Sequence, residues 1–337
     1  MQLPRLIDLH VHLREPGQTH KGDIASETAS AKAGGFGLAV AMPNTTPAVD
    51  SPENFLHVQS LLAQKAAIPV IQCAAMTTGR DGRTPVDADA LKAAGVIALS
   101  DDGTTPQDPG VMREVAWRAA QSGLLLIDHC EDPACSRRGE IDFATRDLEL
   151  ARETGVRIHL QHLSTRESVE LLAAARRDGL GVTGEATPHH LAFTRNAVEK
   201  WGGNARMAPP LRDETDRQAL LSAVASGIIS AIATDHAPHA AEEKALPAGQ
   251  SPNGIVGLEA AFPVAYTLLV SSGMMTLDNL LRRFIDGPAE ILGIQPPTGC
   301  FEALLECHDV IDCRTWRCRA RNCPWDGYVT TAKIVSA

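Results

Sequence analysis

Eight short apolar runs recur along this chain, and each is followed by an amphipathic stretch or a long polar loop. The runs fall at about Leu6–His10, Gly37–Met42, Pro69–Cys73, Val96–Leu99, Leu124–Asp128, Val156–Leu160, Leu180–Gly184 and Ile229–Ala233. Their length and apolar character predict strands, whereas Lys21–Ala33, Pro52–Lys65, Asp87–Ala93, Pro109–Gln121, Phe143–Glu153, Arg166–Arg177 and Asp213–Ala225 have helical spacing. Strand–helix alternation builds a parallel sheet, and eight such units are what closing a (β/α)8 barrel requires. A doubly wound open sheet would show a glycine-rich phosphate turn after an early strand, and none is present. The predicted fold class is therefore α/β, a TIM barrel over residues 1–297. Pro296-Pro297-Thr298-Gly299 marks a turn, after which the pattern is short, cysteine-rich and weakly periodic. Residues 298–337 read as a small C-terminal appendage.

Composition removes several classes of function. A formal charge of -10, with no Lys/Arg-rich run to offset it, excludes sequence-independent nucleic-acid binding, which needs cations to displace counterions. The longest apolar region, Gly257 to Met275, contains Glu259, Pro263 and two serines, so it reads as a buried helix and not a membrane span. The N-terminus enters a strand directly, without the charged and apolar regions of a leader. Eight cysteines then read as reduced thiols, and the expected location is cytoplasmic. Cys307, Cys313, Cys318 and Cys323 crowd the tail beside His308, but without a C-x2-C knuckle they read as unpaired thiols.

Barrel enzymes gather their chemistry at the C-terminal ends of the strands. The first run ends in His10-Val11-His12. Alternation places Asp8, His10 and His12 on one face, and two imidazoles so spaced make a metal-ligand pair. The fourth run ends in Asp101-Asp102-Gly103, the fifth in Asp128-His129, the sixth in Gln161-His162 and the eighth in Thr234-Asp235-His236-Ala237-Pro238-His239. Five strands thus send a nitrogen or oxygen ligand to one rim, and burying that many polar groups without a purpose would be costly. Four histidines and two carboxylates suit a pair of divalent ions with a bridging carboxylate, or one zinc with spare groups. The absence of thiolate favours Zn²⁺ over soft metals. Such a centre activates water and polarises a carbonyl, which is hydrolytic chemistry. Asp235 is placed to carry the proton from water to the leaving nitrogen. Arg14, with Asn44 and His239 as further anchors, can grip a substrate carboxylate. The dipeptide His189-His190 resembles a metal site but reads as structural.

The segments DLHVHLREPGQTHK, AGGF, AMPNTTP, ALSDDG, HCED, HLSTRESVELLAAAR, TGEATPHHL, PPLRDETDR, IATDHAPHAAEEK and GIVGLEAAFP run from about residue 8 to about 263. In this order they resemble the cyclic-amidohydrolase branch of the amidohydrolase superfamily, and within it the bacterial type I dihydroorotases. The resemblance implies that His10 and His12 bind one zinc, that His129 and His162 bind a second where two are present, and that Asp102 bridges them. Related hydantoinases bridge with a carboxylated lysine. Here no lysine lies near the end of the fourth strand (Lys92 belongs to the preceding helix), which points to the aspartate-bridged type. Asp235 would be ligand and proton shuttle, and Arg14, Asn44 and His239 would hold the carboxylate of dihydroorotate. The implied reaction is the reversible interconversion of N-carbamoyl-L-aspartate and (S)-dihydroorotate in de novo pyrimidine biosynthesis.

The sequence also departs from this pattern. The β-sandwich residues usual ahead of the first strand are missing, so 298–337 would be a truncated remnant of the small β domain. Ala208 stands where members commonly have an Asn that contacts the substrate ring, and Asn253-Gly254 replaces a common Phe-Gly. The stretch between Cys130 and Val156 is shorter than usual. Competing expectations are another cyclic amidohydrolase, of allantoinase or hydantoinase type, and a non-catalytic subunit scaffolding aspartate carbamoyltransferase. A homo-oligomer would suit either enzyme reading.

Overall fold

The computed structural model describes residues 1–131, 136–247 and 249–337. A short β1 (Gln2–Pro4) leads into β2 (Leu6–Val11), β3 (Phe36–Ala41), β4 (Val70–Gln72), β5 (Ala98–Leu99), β6 (Leu125–Asp128), β7 (Ile158–Leu160), β8 (Val182–Ala186) and β9 (Ala231–Ile232). Strands β2 to β4 pair in parallel, as do β5 to β9. Parallel bridges between Ala74 and Leu99 and between Val11 and His236 join the two groups at both edges. The ring of eight strands is closed, as the alternation predicts.

The helices begin and end where local chemistry directs. Ser51 caps the helix Pro52–Lys65 by accepting from the Asn54 amide, and Pro52 fills the first position, where no N–H is needed. Thr165 caps Arg166–Arg177 in the same way, and Asp213 caps Glu214–Ser226. Gly227, at φ 83°, ends the last of these in a left-handed conformation that a Cβ would disfavour.

Ile7 and Leu9 pack with Leu38, Val40, Leu125, Ile127, Ala231 and Ala233 from neighbouring strands, filling the barrel interior. Ala289, Ile291 and Leu292 close its N-terminal end. Strict alternation from Ile7 and Leu9 would turn His10 outward. The β2–β3 register slips here, with Asp8 opposite Ala39 and Val11 opposite Ala41. Three residues of β2 span two of β3, and a bulge of this kind re-aims the side chains that follow. The expected common face for Asp8, His10 and His12 is corrected accordingly: the histidines reach the mouth, while Asp8 is held elsewhere.

The tail is more regular than its weak periodicity suggests. β10 (Cys300–Val310) and β11 (Val329–Ser336) form an antiparallel sheet with β1. That sheet joins opposite ends of the chain, so no local pattern could announce it. Between its long strands, Ile311, Trp316, Cys318, Ala320, Cys323 and Trp325 share one apolar cluster with Met207, Ile255, Val256, Ala260 and Val264 of the barrel side. Cys313 and Cys323 lie with their sulfurs 3.2 Å apart, and Cys135 falls outside the described residues. The apolar region from 257 to 275 is helical at Ala261–Ala265 and continues as a π-helix over Tyr266–Val270. Among the described residues no helix is long and apolar enough to cross a membrane.

Candidate active site

The six residues read as metal ligands converge at the C-terminal mouth of the barrel. His10 Nε2 lies 3.2 Å from Asp102 Oδ1 and 3.3 Å from Asp235 Oδ1. His12 Nε2 lies 3.0 Å from the same Asp235 oxygen and 3.5 Å from Asp102 Oδ2. On the other side, His129 Nδ1 is 3.5 Å from Asp102 Oδ1 and 2.8 Å from His162 Nε2. Of three overlapping groups here, His10–His162–Asp235 links the other two, His10–His12–Asp102 and Asp102–His129–His162. Asp102 belongs to both of the latter, the place a bridging carboxylate must occupy.

Surrounding groups hold each ligand in orientation. Glu185 at the end of β8 reaches His10 Nδ1 at 3.1 Å, which leaves Nε2 facing the mouth. The second Glu185 oxygen is 3.0 Å from His159 Nε2, and His159 Nδ1 meets Thr183 Oγ1 at 2.8 Å. Asp8 accepts from the Thr234 amide at 2.9 Å and its hydroxyl at 2.5 Å, tying β2 to the end of β9 just before Asp235. Arg14, His162 and Asp235 have φ of 61°, 30° and 45°. Left-handed backbone at a non-glycine residue costs of order 1–3 kcal/mol and concentrates where function demands a particular aim. Here it falls on three residues of one site.

The electrostatics favour a cation. Burial opposes charge throughout, yet His10 is raised well above its ordinary range by Asp235 and Asp102. His129 is likewise raised to about 10 against burial, by Asp102 and Glu131. Although burial would raise Asp102 and Asp235, the neighbouring histidines hold both below the carboxylate range. Ionised carboxylates are ligands, and a field that retains protons on imidazoles also attracts a divalent ion, which displaces them. The donor set therefore fits a metal centre.

Above the centre opens a cavity of about 740 Å³. Its walls include Arg14, Asn44, Ala208, His239, Asn253 and Gly254, together with His12, Asp102, His129 and Asp235. His10 and His162 are buried behind them. Asn44 bridges two ligands: its Oδ1 is 3.0 Å from His12 Nδ1 and its Nδ2 donates to Asp102 at 3.2 Å. Arg14 Nη2 lies 3.3 Å from His239 Nε2, and Arg14 Nε donates to the Pro238 carbonyl at 3.0 Å. Burial and the adjacent guanidinium push His239 down to about 3, so it is neutral beside a fixed cation. Asn253 Oδ1 accepts from Arg206, a further cation on this wall. His189 and His190 are buried outside these groups, and His190 Nε2 meets the Pro209 carbonyl at 2.9 Å.

The family model described as Dihydro-orotase-like matches residues 1–176. The dihydroorotase of Elusimicrobium minutum is 40% identical over 316 residues, covering 88% of this chain and 73% of that protein. The dihydroorotase of Bacillus caldolyticus is 39% identical over 354 residues, covering 97% and 83%. The chain belongs to the dihydroorotase family. Among solved structures, the L-hydantoinase (dihydropyrimidinase) from Arthrobacter aurescens superposes with a TM-score of 0.91 at 21% identity, over 99% of this chain and 83% of that one. The dihydropyrimidinase from Brevibacillus agri gives 0.86 at 20%, again over 99% and 83%. At those identities the likeness shows the barrel fold alone.

Within this dihydroorotase-family site, sequence reading missed Glu185 and Glu131, the latter 3.2 Å from His129 Nε2. A signal for Glu185 existed: it is a charged residue at the end of a predicted strand, the same reasoning that selected His129 and His162. Glu131 lies in the His-Cys-Glu-Asp segment, whose Asp132 is outside the described residues.

Proposed function

We propose that this chain is a metal-dependent dihydroorotase that interconverts N-carbamoyl-L-aspartate and (S)-dihydroorotate. The observation that carries the proposal is the meeting of six ligands from five strand ends around Asp102, beneath a cavity walled by Arg14, Asn44 and His239. His10, His12, Asp102 and Asp235 would hold one ion, and Asp102, His129 and His162 a second. We assign zinc, since imidazole and carboxylate donors without thiolate suit it better than softer metals. Bound there, the metal would lower the pKa of water and polarise the ring carbonyl.

The chain supplies the remaining steps. Arg14 provides the fixed charge for the substrate carboxylate, with His239 and Asn44 beside it. This holds the ring amide over the metal ligands and converts an encounter into a positioned reaction. Asp235, ionised and at the mouth, takes the proton of the attacking water as the C–N bond opens. It returns that proton to the departing ring nitrogen, and in the cyclising direction the same carboxylate works in reverse. Asp102, lying between the two histidine pairs, would take the bridging place that a lysine carbamate fills elsewhere.

Rings without a carboxylate would make no use of the buried Arg14 guanidinium at the cavity wall, so we rank hydantoinase and allantoinase activity second. A scaffold for aspartate carbamoyltransferase would have no need of six intact ligands, although assembly with that enzyme remains compatible with an active site. We place the enzyme in the cytoplasm, in de novo pyrimidine biosynthesis. The deciding experiment measures zinc per chain and ring closure of carbamoyl aspartate at mildly acidic pH. Chelation should abolish turnover and zinc should restore it. A metal-replete preparation that turns over neither substrate, alone or with the transcarbamoylase, would replace this reading with the scaffold.

A further inference from the structure

The wall carrying His239 is not built by the barrel alone. Asn322, 3% exposed, projects from the tail between Cys318 and Trp325. Its Nδ2 donates to the Ala237 carbonyl at 2.9 Å and to the Gly254 carbonyl at 3.0 Å, while its Oδ1 accepts from the His239 amide at 3.0 Å. One amide thus satisfies three main-chain groups on two segments separated in sequence. Its own carbonyl accepts from Val256 at 3.1 Å, and Trp325 Nε1 donates to Val256 at 3.1 Å, so the tail is pinned on the same strip. The two segments touch where it matters: a Cβ on Gly254 would stand 2.7 Å from His239 Cδ2 and 2.9 Å from its Nε2. That ring abuts Arg14 Nη2, and Arg14 Nε is bonded to Pro238 of the same segment.

We propose that Asn322 is a positioning residue for substrate recognition: it sets the spacing between the 237–239 segment and Gly254, and through it the aim of His239 and Arg14 at the substrate carboxylate. Only an amide side chain offers two donors and an acceptor in one plane, and glutamine carries its amide one methylene farther from the backbone. Aspartate would set a carboxylate oxygen against two carbonyls, and alanine would leave the Ala237 carbonyl and the His239 amide without their partner and the Gly254 carbonyl with Lys244 alone. Asn322 bonds no metal ligand; Asp235, two residues before Ala237, faces His10 and His12 instead. The effect therefore belongs to binding and not to the chemical step.

The inference rests on the dihydroorotase reading. Asn322→Ala should raise KM for dihydroorotate by roughly 10- to 100-fold, the range a small misplacement of a recognition group produces, with kcat within about threefold and zinc content unchanged. Asn322→Gln, which keeps the amide but carries it one methylene farther out, should shift KM in the same direction with kcat and zinc retained, and it decides the matter if Asn322→Ala does not fold. An active wild type whose two variants keep the parental KM, or lose kcat in proportion to zinc, overturns the role of Asn322 alone. A wild type with no turnover of dihydroorotate removes the functional reading and this inference together.

Discussion

Glu185 shows how a single buried carboxylate can govern a centre it does not enter. It is fully buried, held ionised at about 2 against burial by His10 and His159, and it fixes which nitrogen of His10 faces the mouth. Glu185→Gln keeps the shape but weakens that control. We expect metal affinity or turnover to fall about 10- to 100-fold, measured by zinc titration against a competing chelator. Lys244 presents a different case. Burial pushes its ammonium down to about 7, and Nζ donates to the Pro252 and Gly254 carbonyls at 2.8 and 2.9 Å. Between pH 7 and the ordinary lysine range near 10.5 the unfolded chain holds more protons than the folded one. Stability should therefore rise with pH across that window. Urea midpoints at pH 7 and pH 9 should show the rise in wild type and a smaller one in Lys244→Met.

At the scale of elements, the bulge in β2 and the closing helix at the other end of the barrel carry the architecture. The helix Asp286–Leu292 seals the interior with Ala289, Ile291 and Leu292. Its approach requires Gly287, where a Cβ would fall 2.0 Å from the Ser230 carbonyl oxygen just before β9. Gly287→Ala should destabilise the chain by about 1–3 kcal/mol, as overpacking against backbone does. Chemical denaturation would measure it, with the zinc proposed for the opposite end retained. The eight barrel strands could be read from the sequence because most are short, largely apolar runs that the fold buries. The bulge could not be read, since hydrogen-bond register with β3 is a property of two strands. Asp8 illustrates the difference: its type and spacing match a ligand, yet the register hands it to Thr234.

For the molecule as a whole, the tail and the barrel share an apolar cluster, and β1 at the N-terminus pairs with β10 near the C-terminus. We therefore propose that residues 1–297 and 298–337, although separable by pattern, fold together. A chain cut after Pro297 would expose Val256, Val264 and Ile255 and strip β1 of its partner. It should lose the cooperative thermal transition or aggregate, as followed by calorimetry and light scattering.

The sequence by itself determined the barrel and the histidines and carboxylates at its strand ends, because buried apolar runs and the polar residues that follow them both leave strong local marks. It also carried the family motifs. Tertiary structure alone decided which carboxylate stands between the two histidine pairs, which buried acid orients His10, and that a tail asparagine braces the substrate wall. These depend on side chains from remote segments arriving within hydrogen-bonding distance, and no local pattern encodes that meeting.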